Sequence, residues 1–272
     1  MNYNLPYIPE RPEKARDYGL TMVMDKGLSL RQAEDLVESA GEYIDLVKLG
    51  FGTSLLTPNV KEKVDFYTKN NIKVYFGGTL FEVFLVRDMV DDYLKYIDKY
   101  GVTTLEVSDG SMHIEHAEKL EYINKLSKNF TVLSEIGSKQ KGVNLSPEKW
   151  VENMKSELDA GSWKVIAESR ESGTIGIYNA DGSVYIDLIN SIVKNVKTEN
   201  IIWEAPNGKQ QTWFIKQYGN NVNVGNIAPT DVIPLETLRR GVRGDTFFDY
   251  LPAKYNHKKV VIDNSIIIDF QI

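Results

Sequence analysis

Apolar positions in this chain follow two alternating rhythms. Four short apolar runs, TTLEV (103–107), TVLSE (131–135), WKVIAE (163–168) and IIWE (201–204), are strand-like and lead to a glutamate: Glu106, Glu135, Glu168 and Glu204. Four more runs of the same kind end at Asp25–Lys26, Lys48, Gly77–Gly78 and Gly225–Asn226. Between the runs, apolar residues recur at helical spacing. Leu30, Ala33, Leu36, Val37 and Ala40 follow a Ser29 N-cap and stop at Gly41. Thr57–Pro58 and Ser146–Pro147 each read as an N-cap followed by proline at the first helical position. Residues 81–100 predict one helix ending at Tyr100–Gly101, and 114–128, 184–196, 210–218 and 231–240 predict four more, the last with Pro234 inside it.

The strand ends recur every 22 to 36 residues, the rhythm of strand–helix–strand units. Eight units predict an α/β fold, a (β/α)8 TIM barrel. Such a barrel needs roughly 250 residues, so residues 1–272 form one domain. About residues 1–19 are expected to be an extended N-terminal segment, and about 247–272 a C-terminal extension. Within the latter, 259–270 read as strand or hairpin.

A barrel of this class places its chemistry where strands end and βα loops begin. The charged residues at these run ends are therefore a candidate active site. Several carboxylates with few histidines and no cysteine suit a hard cation such as magnesium, which takes oxygen ligands and keeps several waters. Each glutamate could instead pair with a lysine or arginine in the barrel mouth. Lys26, Lys48, Lys139, Lys141 and Arg170 stand at the same end of the barrel and suggest an anionic ligand. Lys139 lies in a glycine-containing loop four residues after Glu135, where a lysine can reach over a substrate and exchange a proton. Gly77–Gly78–Thr79 and Gly225–Asn226 are candidate phosphate loops. Arg239, Arg240 and Arg243 read as structural, and His113 and His116 as surface residues.

Composition narrows the field. Without cysteine there is no disulfide, thiolate nucleophile or cysteine metal site. The formal net charge of −6 argues against general nucleic-acid binding. The N-terminal stretch is polar, with no export signal, and no run is long enough to span a bilayer. A cytoplasmic protein with no membrane or nucleic-acid partner is expected.

RPEKARDYGLTMVMDKGLSLRQAEDLVESAGEYIDLVKLGFGTS (11–54) closely resembles the start of the phosphosulfolactate synthase family. YFGGTLFE (75–82), LEVSDGS (105–111), SEIGSK (134–139) and LRRGVRGDT (238–246) resemble later blocks of that family, in order. The resemblance implies a (β/α)8 barrel that uses magnesium (Mg2+) to add sulfite to phosphoenolpyruvate. In methanogens that step begins coenzyme M synthesis; in some spore-forming bacteria it leads to sulfolactate. On this reading Glu135, Glu168 and Glu204 hold the metal, with Asp25 and Glu106 in reserve. Lys139 is the general acid. Lys26, Lys48 and Arg170, with Gly77, Gly78, Gly225 and Asn226, hold the anionic substrates. A homo-oligomer is expected. The family also resembles plant heat-stress-associated barrels, so a non-catalytic protein acting through protein contacts is the rival reading. A related barrel acting on another enol phosphate is a third.

Overall fold

Eight parallel strands form where the apolar runs place them, in a computed structural model that describes residues 2–137, 145–169, 172, 174 and 176–259. They are β1 (Thr21–Asp25), β2 (Leu46–Leu49), β3 (Lys73–Phe76), β4 (Thr104–Val107), β5 (Thr131–Ile136), β6 (Lys164–Ala167), β7 (Ile201–Glu204) and β8 (Val224–Ile227). Their order around the sheet is β3-β2-β1-β8-β7-β6-β5-β4. No ladder joins β3 to β4 among the described residues. That seam is bridged at its top by the Gly78 N–H, which donates to Glu106 Oε1 at 2.5 Å.

Side chains alternate across each strand, and the alternation makes two cores. Leu20, Met22, Leu46, Tyr75, Leu133, Ile166 and Ile202 fill the barrel interior. Val23, Val47, Val74, Leu105, Val132, Val165, Ile201 and Val224 face outward into the helix layer. One residue sits inside for reasons of space: a Cβ on Gly225 would lie 2.5 Å from Met22 Cε. Gly225 is therefore a packing glycine in the barrel wall rather than part of a terminal loop.

The helices among the described residues are α1 (Leu30–Ala40), α2 (Val60–Lys69), α3 (Gly78–Leu85), α4 (Val90–Tyr100), α5 (His116–Leu126), α6 (Pro147–Asp159), α7 (Ile186–Asn195), α8 (Gly208–Tyr218), α9 (Val232–Arg239) and the short α10 (Phe247–Tyr250). Ser29 opens α1 with a capping box to Gln32, and Ser146 caps α6 through the Lys149 N–H. Two expectations need correction. Helix α2 starts at Val60 rather than after Thr57–Pro58, because the Thr57 hydroxyl turns back to Thr53 O at 2.8 Å and closes the preceding turn. The single helix over 81–100 is two helices. Asp88 takes a left-handed φ of 56° and the Met89 N–H closes on Phe84 O, a stop of the left-handed type. Pro234 is tolerated in α9 because it falls in the first turn, where N–H groups have no intrahelical partner.

Residues 2–19 contain no helix or strand and run beneath the barrel. Arg16 pairs with Asp45 at 3.0 Å, and Arg11 pairs with Glu236 at 3.4 Å. Arg239 is buried there, donating to the carbonyls of Asn220, Val222 and Leu20. Its role is structural, as the sequence suggests. The 259–270 stretch lies outside the described residues except for Lys259.

Helix α3 presses its first turn onto β4. A Cβ on Gly78 would meet Ser108 Cβ at 2.4 Å and Glu106 Oε1 at 2.6 Å. Gly78→Ala should therefore destabilise the protein by about 1–3 kcal/mol through overpacking. Urea unfolding of the variant checks this, and an unchanged midpoint would show that α3 moves away freely.

Candidate active site

Alternation that points Leu46, Leu133, Ile166 and Ile202 inward also points inward the residues two positions further on. These are Lys48, Glu135, Glu168 and Glu204, at the C-terminal mouth of the barrel. Glu106 of β4 joins them. Three carboxylates converge on one ammonium: Lys48 Nζ lies 3.0 Å from Glu106 Oε2, 3.2 Å from Glu135 Oε2 and 3.5 Å from Glu204 Oε1. All four groups are buried. Burial opposes the Lys48 charge, but Glu106, Glu135 and Glu204 outweigh it and hold the ammonium well above its ordinary pKa.

Glu204 makes the longest of the three contacts to Lys48. Burial pushes its carboxyl up to about 7; Lys48 opposes the shift, and Glu135 and Glu106 add to it. The consequence for stability has a definite sign. Between its ordinary value of 4.5 and about 7, the folded protein holds a proton at Glu204 that the unfolded chain has released. Stability therefore falls as pH rises through that window. In EDTA, the melting temperature should drop between pH 5 and pH 8, and Glu204→Gln should flatten the slope. A wild-type slope of opposite sign would contradict this charge distribution.

The ring is braced from behind. Ser169 N–H donates to Glu204 Oε2 at 2.8 Å, and Tyr178 OH donates to Glu204 O at 2.6 Å. Buried Lys119 donates to Glu135 O at 2.6 Å and pairs with Asp109 at 2.8 Å and Glu157 at 2.9 Å. The Ser108 hydroxyl lies between Glu135 Oε1 and Glu82 Oε1.

Asp25 points the other way. It lies one position out of phase with Met22 and Met24, so it faces the helix layer with Val23. Its Oδ1 accepts the Gly27 and Leu28 N–H groups at 2.8 Å. Its Oδ2 pairs with Lys63 of α2 at 2.7 Å. The structure thus separates Asp25 from the ring of glutamates.

Above the ring opens a cleft of about 560 Å³, lined by Lys26, Lys48, Gly77, Glu135, Glu204 and Asn226 among others. Thr79, from the Gly77–Gly78–Thr79 loop, also lines it, as do Phe51, Ser111, Ser169, Ser172 and Ala228, which the strand-end pattern did not single out. Asn226 has a left-handed φ of 57°, and its Oδ1 is buried without a hydrogen-bond partner among the described residues. That oxygen can accept a hydrogen bond from a ligand donor. Gly78 spends its N–H on Glu106 and so offers no free phosphate amide. Lys139, Lys141 and Arg170 lie outside the described residues.

The donors at the mouth include several buried carboxylates, an oxygen type that hard cations take. Among the described residues, however, no three histidine, aspartate or glutamate side chains are grouped so as to hold a metal ion. An ion here would depend on one or two carboxylates together with substrate oxygens and water, which is how magnesium is commonly held.

Residues 9–245 match the family model for (2R)-phospho-3-sulfolactate synthase. The chain is 40% identical to the phosphosulfolactate synthase of Bacillus subtilis over 244 residues, covering 89% of this chain and 97% of that protein. It is 42% identical to the phosphosulfolactate synthase of Methanothermobacter thermautotrophicus, covering 88% of this chain and 95% of that protein. A heat-stress-associated protein of Arabidopsis thaliana is also similar, at 25% identity over 90% of this chain and 94% of its own length. The higher identity lies with the synthases, and together with the match over most of the barrel it shows that the chain belongs to the phosphosulfolactate synthase family.

Proposed function

We propose that this enzyme catalyses the magnesium-dependent addition of sulfite to phosphoenolpyruvate, giving 2-phospho-3-sulfolactate. One observation supports the reading beyond family membership. The cleft floor is a buried ring of three glutamates around Lys48, and carboxylate oxygens are the donors that a hard cation takes.

In the reaction the sulfur lone pair of sulfite forms a bond to the methylene carbon C3. The C2=C3 π pair moves to C2 and spreads into the carboxylate, and C2 then takes a proton. Lys139 is the proposed donor of that proton, on the strength of its place in the SEIGSK loop beside Glu135. Lys26 and Asn226, both lining the cleft, and Arg170 are proposed to hold the anionic groups. Gly77, at the N-terminus of α3, faces the same space. Lys48 is better read as the organiser of the glutamates than as a substrate ligand, since its ammonium already holds three of them.

Glu168 and Glu204 are the proposed magnesium ligands. They close neighbouring strands, and Glu204 makes the longest of the three ring contacts to Lys48. Asp25 faces the helix layer, where protein donors take both its oxygens. Bound magnesium would act as a Lewis acid for charge that builds on the substrate carboxylate. No helix among the described residues is long and apolar enough to cross a membrane. A cytoplasmic location and a homo-oligomer belong to the same proposal, the second tested by sedimentation.

Phosphorus NMR of the protein with phosphoenolpyruvate and sulfite tests the reaction. A new phosphosulfolactate signal should form with magnesium and not with EDTA. Equal product in EDTA would remove the metal from the scheme. No product from folded protein would move the substrate to another enol phosphate or favour the non-catalytic reading.

A further inference from the structure

Lys63 of α2 is a buried cation outside the cleft. It is 1% exposed, and its partner Asp25 is fully buried. Its Nζ lies 2.7 Å from Asp25 Oδ2 and donates to Leu28 O at 2.8 Å. The Tyr67 hydroxyl, one turn further along α2, donates to the same carboxylate oxygen at 3.4 Å. The other oxygen, Asp25 Oδ1, accepts the Gly27 and Leu28 N–H groups, both at 2.8 Å. Together these contacts close on the turn that leaves β1.

The turn is thereby held from two directions. Asp25 takes the N–H groups of Gly27 and Leu28. Lys63 takes the Leu28 carbonyl and also fixes the carboxylate that holds the N–H groups. Between the held atoms stands Lys26, whose exposed side chain lines the cleft. Gly27 follows it at a φ of 114°, in backbone space that glycine enters without steric cost. A Cβ there would meet nothing within 4 Å, so packing at this glycine does not fix the turn. The hydrogen bonds do.

Burying an ammonium and a carboxylate costs desolvation that their attraction only roughly offsets, so such a pair is weak evidence for stability. What this one supplies is a single position for the turn. The arrangement also says how the turn can meet an anion. The Gly27 and Leu28 amides are given to Asp25, so the turn presents the Lys26 side chain rather than a backbone cradle.

We propose that Lys63 is a positioning residue for substrate: through Asp25 and the turn at 26–28, it sets where Lys26 meets an anionic group in the cleft. The hold on the turn stands on this geometry; its use in binding rests on the synthase reading. Neither Lys63 nor Asp25 lines the cleft, so their effect reaches substrate through Lys26.

Hydrogen exchange of the substrate-free protein, followed residue by residue by NMR, tests the hold. In Lys63→Met the Gly27 and Leu28 amides should exchange at least about tenfold faster, with the amides of β5 to β7 unchanged. Unchanged exchange at Gly27 and Leu28 would overturn the proposal. Steady-state kinetics tests the use. Lys63→Met should raise by about five- to tenfold the KM of the same substrate, phosphoenolpyruvate or sulfite, that Lys26→Ala affects, with kcat within about twofold. In the Lys26→Ala background, Lys63→Met should add less than about twofold to that KM, because residues that act through one another are not additive. Additive effects, or lower stability with both KM values unmoved, would make the pair structural and overturn the positioning role. Should Lys63→Met fail to fold, Asp25→Asn combined with Lys63→Met removes both charges, leaves no unpaired buried ion and carries the same reading. Wild-type protein that does not join sulfite to phosphoenolpyruvate would end the synthase reading and the binding role with it, whereas the exchange result decides the hold on the turn without substrate.

Discussion

Lys48→Met should lower the stability of this protein by about 3–5 kcal/mol at neutral pH, the usual effect of removing one partner from a buried ionic cluster. Methionine keeps the length of the stem, so packing changes little. What disappears is the charge on which Glu106, Glu135 and Glu204 converge. The loss should depend on pH in a stated direction. Without the ammonium the three carboxyl groups hold protons in the folded state to higher pH. The folded state then binds more protons than the unfolded chain, and stability falls as pH rises. The deficit should therefore shrink from pH 8 to pH 5. Urea unfolding at both values measures it. A variant within about 1 kcal/mol of wild type at both would mean that another cation already balances the ring.

Lys139→Ala should reduce kcat by about 10²–10⁴, the range for loss of a general acid. Substrate KM values should move far less, because the proton is delivered only as the C2 carbanion forms. Lys139→Arg should not restore the rate, since a guanidinium keeps its proton at neutral pH. Steady-state kinetics of both variants, with circular dichroism to confirm folding, separates a proton donor from a substrate clamp. A rise in KM with kcat preserved would make Lys139 a binding residue instead.

How far the site could be read in advance depended on strand parity. Lys48, Glu135, Glu168 and Glu204 each lie two residues beyond an apolar residue of the barrel interior, a relation visible in the chain. The same count applied to β1 would have turned Asp25 outward, since Met22 is interior and Val23 is not. Reading only strand ends left it beside the glutamates. Glu82 and Ser108 lie in motif blocks that resemble the family but carry no strand-end signal. They are 26 residues apart and meet because α3 packs its glycine start against the end of β4.

The helix errors have local causes of a kind that pattern alone does not register. Thr57–Pro58 has the composition of a helix start, but the Thr57 hydroxyl is taken by Thr53 O. The apolar face from Phe81 to Val90 looks continuous, but Asp88 adopts a left-handed conformation and ends the first helix. Both outcomes were decided by local conformation and hydrogen bonds over a few residues, where composition permits either.

By itself the sequence determined the number, order and approximate ends of the strands, the capped helices, the barrel and the family. The strands, helices and barrel follow from side-chain alternation, helical spacing and turn residues, which act over short stretches of chain; the family follows from the resemblance of the motif blocks. Only the tertiary structure decided which charges meet. Closing the barrel brings Lys48 of β2 to Glu106, Glu135 and Glu204 of β4, β5 and β7, from as far as 156 residues away. Their burial together, rather than any one residue's identity, raises the Glu204 carboxyl and sets the charge of the cleft.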